Sequence, residues 1–81
     1  MGLEQKIQAK KIKQLRSEGY IVIKLTVTNM NGIPDLIAIP PNSDVKFIEV
    51  KTPNGKISPL QEAVMAKLKN HGLDVEVYRG E

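Results

Sequence analysis

The stretch from Val45 to Tyr78 restricts the fold of this chain more than any other. It reads VKFIEVK, a loop TPNGK, then ISPLQEAVMAKLKNHG and LDVEVY. Ser58 is a good helix N-cap and Pro59 suits the first helical position. Gln61 follows Ser58 by three residues, which is capping-box spacing. Leu60, Val64 and Leu68 supply an apolar stripe at i, i+4 and i+8, and Gly72 after His71 stops the helix. A strand, a capped helix and a second strand in succession make a crossover, which joins parallel strands and is normally right-handed. In the last strand Leu73, Val75 and Val77 alternate with Asp74, Glu76 and Tyr78, as expected for an edge strand with one wet face.

The segment ahead of the crossover reads as a helix and a meander. Residues 3–18 place Leu3, Ile7, Ile12 and Leu15 on one stripe, and Gly19 ends that helix. Residues 20–27, YIVIKLTV, form a strand, NMNG a loop, residues 35–39 a second strand, PPNSD a turn and residues 45–51 a third strand. The order α-β-β-β-α-β predicts an α/β fold: one domain over residues 1–81, with a small mixed sheet flanked by one helix on each side.

Composition removes several function classes. The chain lacks Cys, so disulfides and thiolate metal sites are excluded, and a reducing, cytoplasmic setting is compatible with it. No apolar run approaches the roughly 20 residues of a membrane span, and MGLEQKIQAKK lacks the apolar core of a signal peptide. The net charge is +3, concentrated in Lys6, Lys10, Lys11, Lys13 and Arg16 of the first helix. Such a face is either simply solvated or attracts nucleic acid. With two Tyr, one Phe and no Trp, a base-stacking platform is poorly supported.

Chemistry concentrates in IPDLIAIPPNSDVKFIEVK. Alternation along a strand points Glu49 and Lys51 to one face, and Ile48 and Val50 to the other. The hairpin between the second and third strands sets the start of one beside the end of the other, so Asp35 is expected next to Glu49 and Lys51. Each residue alone has a plain structural reading as a turn residue or a charged strand end. Together they form a cluster that is costly without a reason, because neighbouring carboxylates repel and burial raises their pKa values. A Mg²⁺ ion relieves both penalties, with one or two carboxylates, water and phosphate oxygens as its ligands. Lys51 would then orient the attacking water or stabilise developing charge.

These residues resemble a known family. Gly32-Ile33-Pro34-Asp35 followed by Ile48-Glu49-Val50-Lys51 is similar to the PD-(D/E)xK nuclease signature, and the αβββαβ order matches the restriction-endonuclease-like core of that superfamily. Ile57-Ser58-Pro59-Leu60-Gln61 resembles the apolar-Ser-x-x-Gln element of its VRR-Nuc branch, the virus-type replication-repair nucleases. The resemblance spans nearly the whole chain. It implies that Asp35, Glu49 and the Val50 carbonyl are metal ligands, that Lys51 is the catalytic lysine and that Gln61 belongs to the site. It also implies an acid from the first helix as a further ligand. Glu4 is the best match, since Glu18 lies at the far end beside Gly19.

The expectation is a metal-dependent, structure-selective DNA endonuclease of viral or phage type. It would use Mg²⁺, with Mn²⁺ as substitute, and leave 5′-phosphate and 3′-hydroxyl ends. Lys6, Lys10, Lys13, Arg16 and Lys56 would meet the DNA backbone, giving salt-dependent, largely sequence-independent affinity. Small stand-alone members of the branch look like resolvases of branched DNA such as four-way (Holliday) junctions. Symmetric cutting needs two sites, so a homodimer is expected, in the host cytoplasm if the protein is viral. Two other readings compete: a catalytically silent nucleic-acid-binding module of nuclease fold, and a basic α/β subunit of a larger viral or replication assembly. His71 before Gly72 reads as a helix-dipole partner rather than a base.

Overall fold

Runs of β-branched residues broken by Pro, Gly and Asn favour short strands, and short strands are what form. The computed structural model describes residues 2–41 and 44–80. Helix α1 (Leu3–Ser17) leads into strands β1 (Ile21–Lys24), β2 (Leu36–Ile39) and β3 (Lys46–Val50), then helix α2 (Pro59–Asn70) and strand β4 (Asp74–Tyr78). The sheet order is β1-β2-β3-β4. The first two pairings are antiparallel and β3–β4 is parallel, as the crossover requires. The turn expected between β2 and β3 includes Asn42 and Ser43, which lie outside the described residues.

The two sheet faces carry different partners. Register aligns Val22 with Ala38 and Leu36 with Ile48. With Val50, these side chains face α1, where Leu15, Leu36, Ala38, Ile48 and Val50 form the buried cluster, flanked by Ile7, Ile12, Tyr20 and Tyr78. The opposite face carries Ile23, Ile37, Phe47 and Val75 in register. Helix α2 packs on the β4 side of that face, with Val64 and Met65 buried.

Strand β1 stops at Lys24 instead of reaching Val27, which is 94% exposed. One more ladder bond forms, from the Leu25 amide to the Asp35 carbonyl at 2.8 Å. The next residue on the partner strand, Pro34, falls at a position whose backbone faces β3 rather than β1 and adds nothing to this ladder. Helix α2 is rotated relative to the expected stripe. Gln61, Val64, Met65 and Leu68 turn inward, whereas Leu60 is 52% exposed. Strand β4 is an edge strand, but its alternate face is only partly wet. Glu76 pairs with Lys46 at 3.2 Å, and Tyr78 packs against the core under α1.

Both helices close alike. The Tyr20 amide bonds to the Leu15 carbonyl at 3.0 Å and the Leu73 amide to the Leu68 carbonyl at 3.1 Å, each after a glycine of positive φ. His71 is the C-cap of α2, its Nδ1 lying 2.8 Å from the Lys67 carbonyl oxygen. The N-terminus of α2 carries the full capping box: the Ser58 side chain accepts from the Gln61 amide at 3.1 Å, and Gln61 Oε1 accepts from the Ser58 amide at 3.0 Å.

Gly32 sets the approach to β2. Its φ is +82°, and a Cβ there would lie 2.9 Å from Leu60 Cγ. Gly32→Ala is therefore expected to destabilise the protein by about 1–3 kcal/mol, combining left-handed strain with overpacking. Urea unfolding checks this. Leu60→Ala in the Gly32→Ala background should recover the packing part of the loss and leave the backbone part.

Candidate active site

The functional cluster forms where β2 begins and β3 ends. Extending the Leu36–Ile48 register by one step sets Asp35 opposite Glu49. Beyond the last paired position, the β3 backbone lacks a carbonyl partner from β2. The Asp35 side chain takes that place: the Val50 amide donates to Asp35 Oδ2 at 2.8 Å. Pro34, fully buried, anchors the chain immediately before Asp35.

Glu49 lies on the α2 face and is 2% exposed. Its Oε2 sits 3.4 Å from Lys51 Nζ and accepts from Gln61 Nε2 at 3.3 Å. Gln61 thus uses its carbonyl oxygen to cap α2 and its amide nitrogen to hold Glu49. The Lys51 side chain is itself largely buried, and its amide donates to the Tyr78 carbonyl at 2.9 Å. The structure therefore brings together Asp35, Glu49, Lys51 and Gln61.

Electrostatics at Glu49 are unfavourable to a bare carboxylate. Burial pushes its pKa up to about 7, and the adjacent Asp35 adds to the rise through its charge and a hydrogen bond between the two carboxyls. Lys51 opposes the shift but does not cancel it. Two carboxyls close enough to share a proton are a hard-oxygen donor pair, which a divalent cation fits. No group of three His, Asp or Glu side chains able to hold a metal exists among the described residues. Glu4, in the first turn of α1, accordingly does not join Asp35 and Glu49 as a third carboxylate. It belongs to the helix covering the opposite face of the sheet. Any remaining ligands would be the Val50 carbonyl, water and substrate oxygens.

The basic residues sort by position. Lys6, Lys10 and Lys13 are exposed at helical spacing along α1, Arg16 is exposed in its last turn, and Lys56 is exposed on the loop after β3. Two contributors escaped the sequence. Arg79 Nη1 donates to the carbonyl oxygens of Gly55 at 2.6 Å, Thr52 at 3.1 Å and Pro53 at 3.4 Å, pinning the loop that follows Lys51. Lys11 Nζ stands 4.4 Å from the Tyr78 ring centroid, a cation–π contact. The only signal for Arg79 was a cation directly after a strand, which specifies no partner.

Comparison with known proteins places the chain in a family. The VRR-NUC domain family matches residues 26–81. The protein named "Putative nuclease p44" of Acyrthosiphon pisum secondary endosymbiont phage 1 is 31% identical over 65 residues, covering 80% of this chain and 70% of that protein. A solved structure described as a VRR_NUC domain matches with a TM-score of 0.87 at 29% identity, over 95% of this chain and 84% of that one. The chain belongs to the VRR-NUC family, and its domain is a nuclease domain.

Glu49 binds its proton more tightly in the folded than in the unfolded chain. Its contribution to stability is complete below about pH 4.5 and is lost as pH rises through about 7. In metal-free buffer at pH 8, Glu49→Gln should be more stable than wild type by about 1–3 kcal/mol. At pH 4 the difference should nearly vanish. Urea titrations at the two pH values, in EDTA, check both.

Proposed function

We propose that this nuclease domain is a divalent-metal-dependent DNA endonuclease acting on branched DNA, four-way junctions included, as a two-fold homodimer. The observation that supports it most is the meeting of Asp35, Glu49 and Lys51 at one sheet end, with Glu49 held by Gln61. Asp35, Glu49 and the Val50 carbonyl would hold Mg²⁺, or Mn²⁺ in its place. When bound, the ion would polarise the phosphoryl group and lower the pKa of the attacking water. Lys51 Nζ would donate to oxygens that gain negative charge as the phosphodiester is attacked. Gln61 keeps the Glu49 carboxylate from swinging away and exchanges no proton. The bond broken would be P–O3′, leaving 5′-phosphate and 3′-hydroxyl ends, as the family resemblance implies.

Charge and shape support the substrate class. The exposed cations of α1 and Lys56 suit a phosphate backbone and carry no base-reading pattern, so recognition by shape fits better than recognition by sequence. The homodimer has a candidate surface. On the α2 side of the sheet, β1 presents Ile21 at 63% and Ile23 at 45% exposure, beside Ile39 and Ile37 of β2. Helix α2 packs towards β4 and leaves this half of the face open. A second copy laid against it would bury the isoleucines and supply the second site that symmetric cutting requires.

Two experiments test the proposal. In a panel of linear, flap, splayed and four-way-junction DNA, wild type should cut with Mg²⁺ or Mn²⁺ and fall silent in EDTA. Lys51→Ala should bind junctions yet cut at least about 10²-fold more slowly. Cutting without metal, or at equal rate by the variant, rejects the mechanism. In sedimentation at micromolar concentration wild type should be a dimer, and Ile21→Lys with Ile23→Lys a folded monomer. A monomeric wild type, with and without junction DNA, rejects the dimer.

A further inference from the structure

On the α1 side of the same sheet end lies a cavity that the cleavage chemistry does not use. Its volume is about 230 Å³, below the roughly 300–1,000 Å³ of small-molecule pockets, and it is lined by Leu3, Lys6, Ile7, Lys10, Pro53, Tyr78, Arg79 and Gly80. Its floor is apolar. Leu3 and Ile7 come from α1, Pro53 from the loop after β3 and Tyr78 from the end of β4. Besides Arg79, which is engaged with backbone carbonyls, its cations are Lys6 and Lys10, one helical turn apart and both exposed.

Two contacts make the cavity preformed. The Arg79 guanidinium fastens the wall containing Pro53 through the carbonyls of Thr52, Pro53 and Gly55. Lys11 fixes the Tyr78 ring from one side. The cavity also touches the reactive end directly, because the Tyr78 carbonyl accepts the Lys51 amide hydrogen bond. Tyr78 shares the α1 face with Val50, whereas Lys51 shares the opposite face with Glu49. A DNA strand crossing this end of the sheet would therefore meet both sites in succession.

A helix face that only attracts phosphates needs no concave apolar floor. A floor with two flanking ammonium groups matches a nucleotide: base and sugar on the apolar part, phosphate between the amines. Bases inside a duplex are stacked and paired and cannot enter such a recess, whereas an unpaired base enters at least expense. We propose that the cavity receives one unpaired nucleotide of the substrate strand near the bond that is cut, with its phosphate held by Lys6 and Lys10. The proposal rests on the nuclease reading above and deepens it. It gives the preference for branched DNA a physical source, since a branch point exposes nucleotides that a linear duplex hides.

Binding in EDTA separates this proposal from the cleavage mechanism. The probes are a linear duplex and the same duplex carrying one unpaired 2-aminopurine at a branch, each followed by fluorescence and affinity. Wild type should favour the unpaired probe and change its 2-aminopurine emission on binding. Leu3→Ser and Tyr78→Leu should bring the ratio of the two affinities towards one, by roughly tenfold, and remove the emission change. Lys6→Ala with Lys10→Ala should weaken the unpaired probe more than the duplex. Leu3 is exposed, so Leu3→Ser keeps the test valid if Tyr78→Leu fails to fold. Equal losses on both probes, an unchanged ratio in Leu3→Ser, or no emission change with wild type overturns the proposal. The nuclease reading fails on different data, namely undiminished cutting by Lys51→Ala.

Discussion

The hydrogen bond from the Val50 amide to the Asp35 carboxylate at 2.8 Å decides the geometry of everything around it. Backbone donors inside a protein must find acceptors, and β2 begins at Leu36, two residues short of the position that would face Val50. A side-chain oxygen fills the gap. That substitution ends the antiparallel ladder, fixes the carboxyl of Asp35 beside Glu49 and leaves the sheet end open for chemistry. Pro34 enforces the same boundary, because alternation turns its backbone towards β3 and a residue without an N–H cannot donate to the facing Val50 carbonyl.

Glu49 is held from a second direction. Gln61 completes the capping box of α2 with one end of its side chain and reaches Glu49 with the other. Helix initiation and site geometry therefore share a single side chain, so a change at Gln61 touches stability and chemistry together. Lys51 completes the set under less strain. Its ammonium offsets part of the repulsion between the two acids, yet burial keeps the Glu49 pKa near 7. The protein tolerates an electrostatically unfavourable pair in its interior, which is the kind of local conflict that functional sites retain.

Much of this was legible in the sequence, for identifiable reasons. Strand alternation and a short β2–β3 connection suffice to bring Asp35, Glu49 and Lys51 to one end, and Ser-Pro-x-Gln announces the start of α2. What was not legible depended on tertiary choice. The stripe through Leu60 was displaced because Gln61 faces the sheet, which turns Met65 inward and leaves Leu60 against Gly32. Glu4 looked suitable by position along the chain. No group of three carboxylates able to hold a metal forms among the described residues, however, and α1 packs on the face away from Glu49. Arg79 fastens a loop more than twenty residues earlier in the chain, and no periodicity encodes a guanidinium meeting backbone carbonyls at such separation.

The clustered side chains all come from the stretch between Asp35 and Gln61, and the hydrogen bonds that tie them together span fifteen residues or fewer. Closing such short loops costs little chain entropy, and topologies rich in near-neighbour contacts fold quickly. The reactive constellation draws its side chains from one hairpin and the first turn of one helix, and α1 and β4 contribute none of them. Those two elements are then free to vary in the surfaces they present while the chemistry between them stays put.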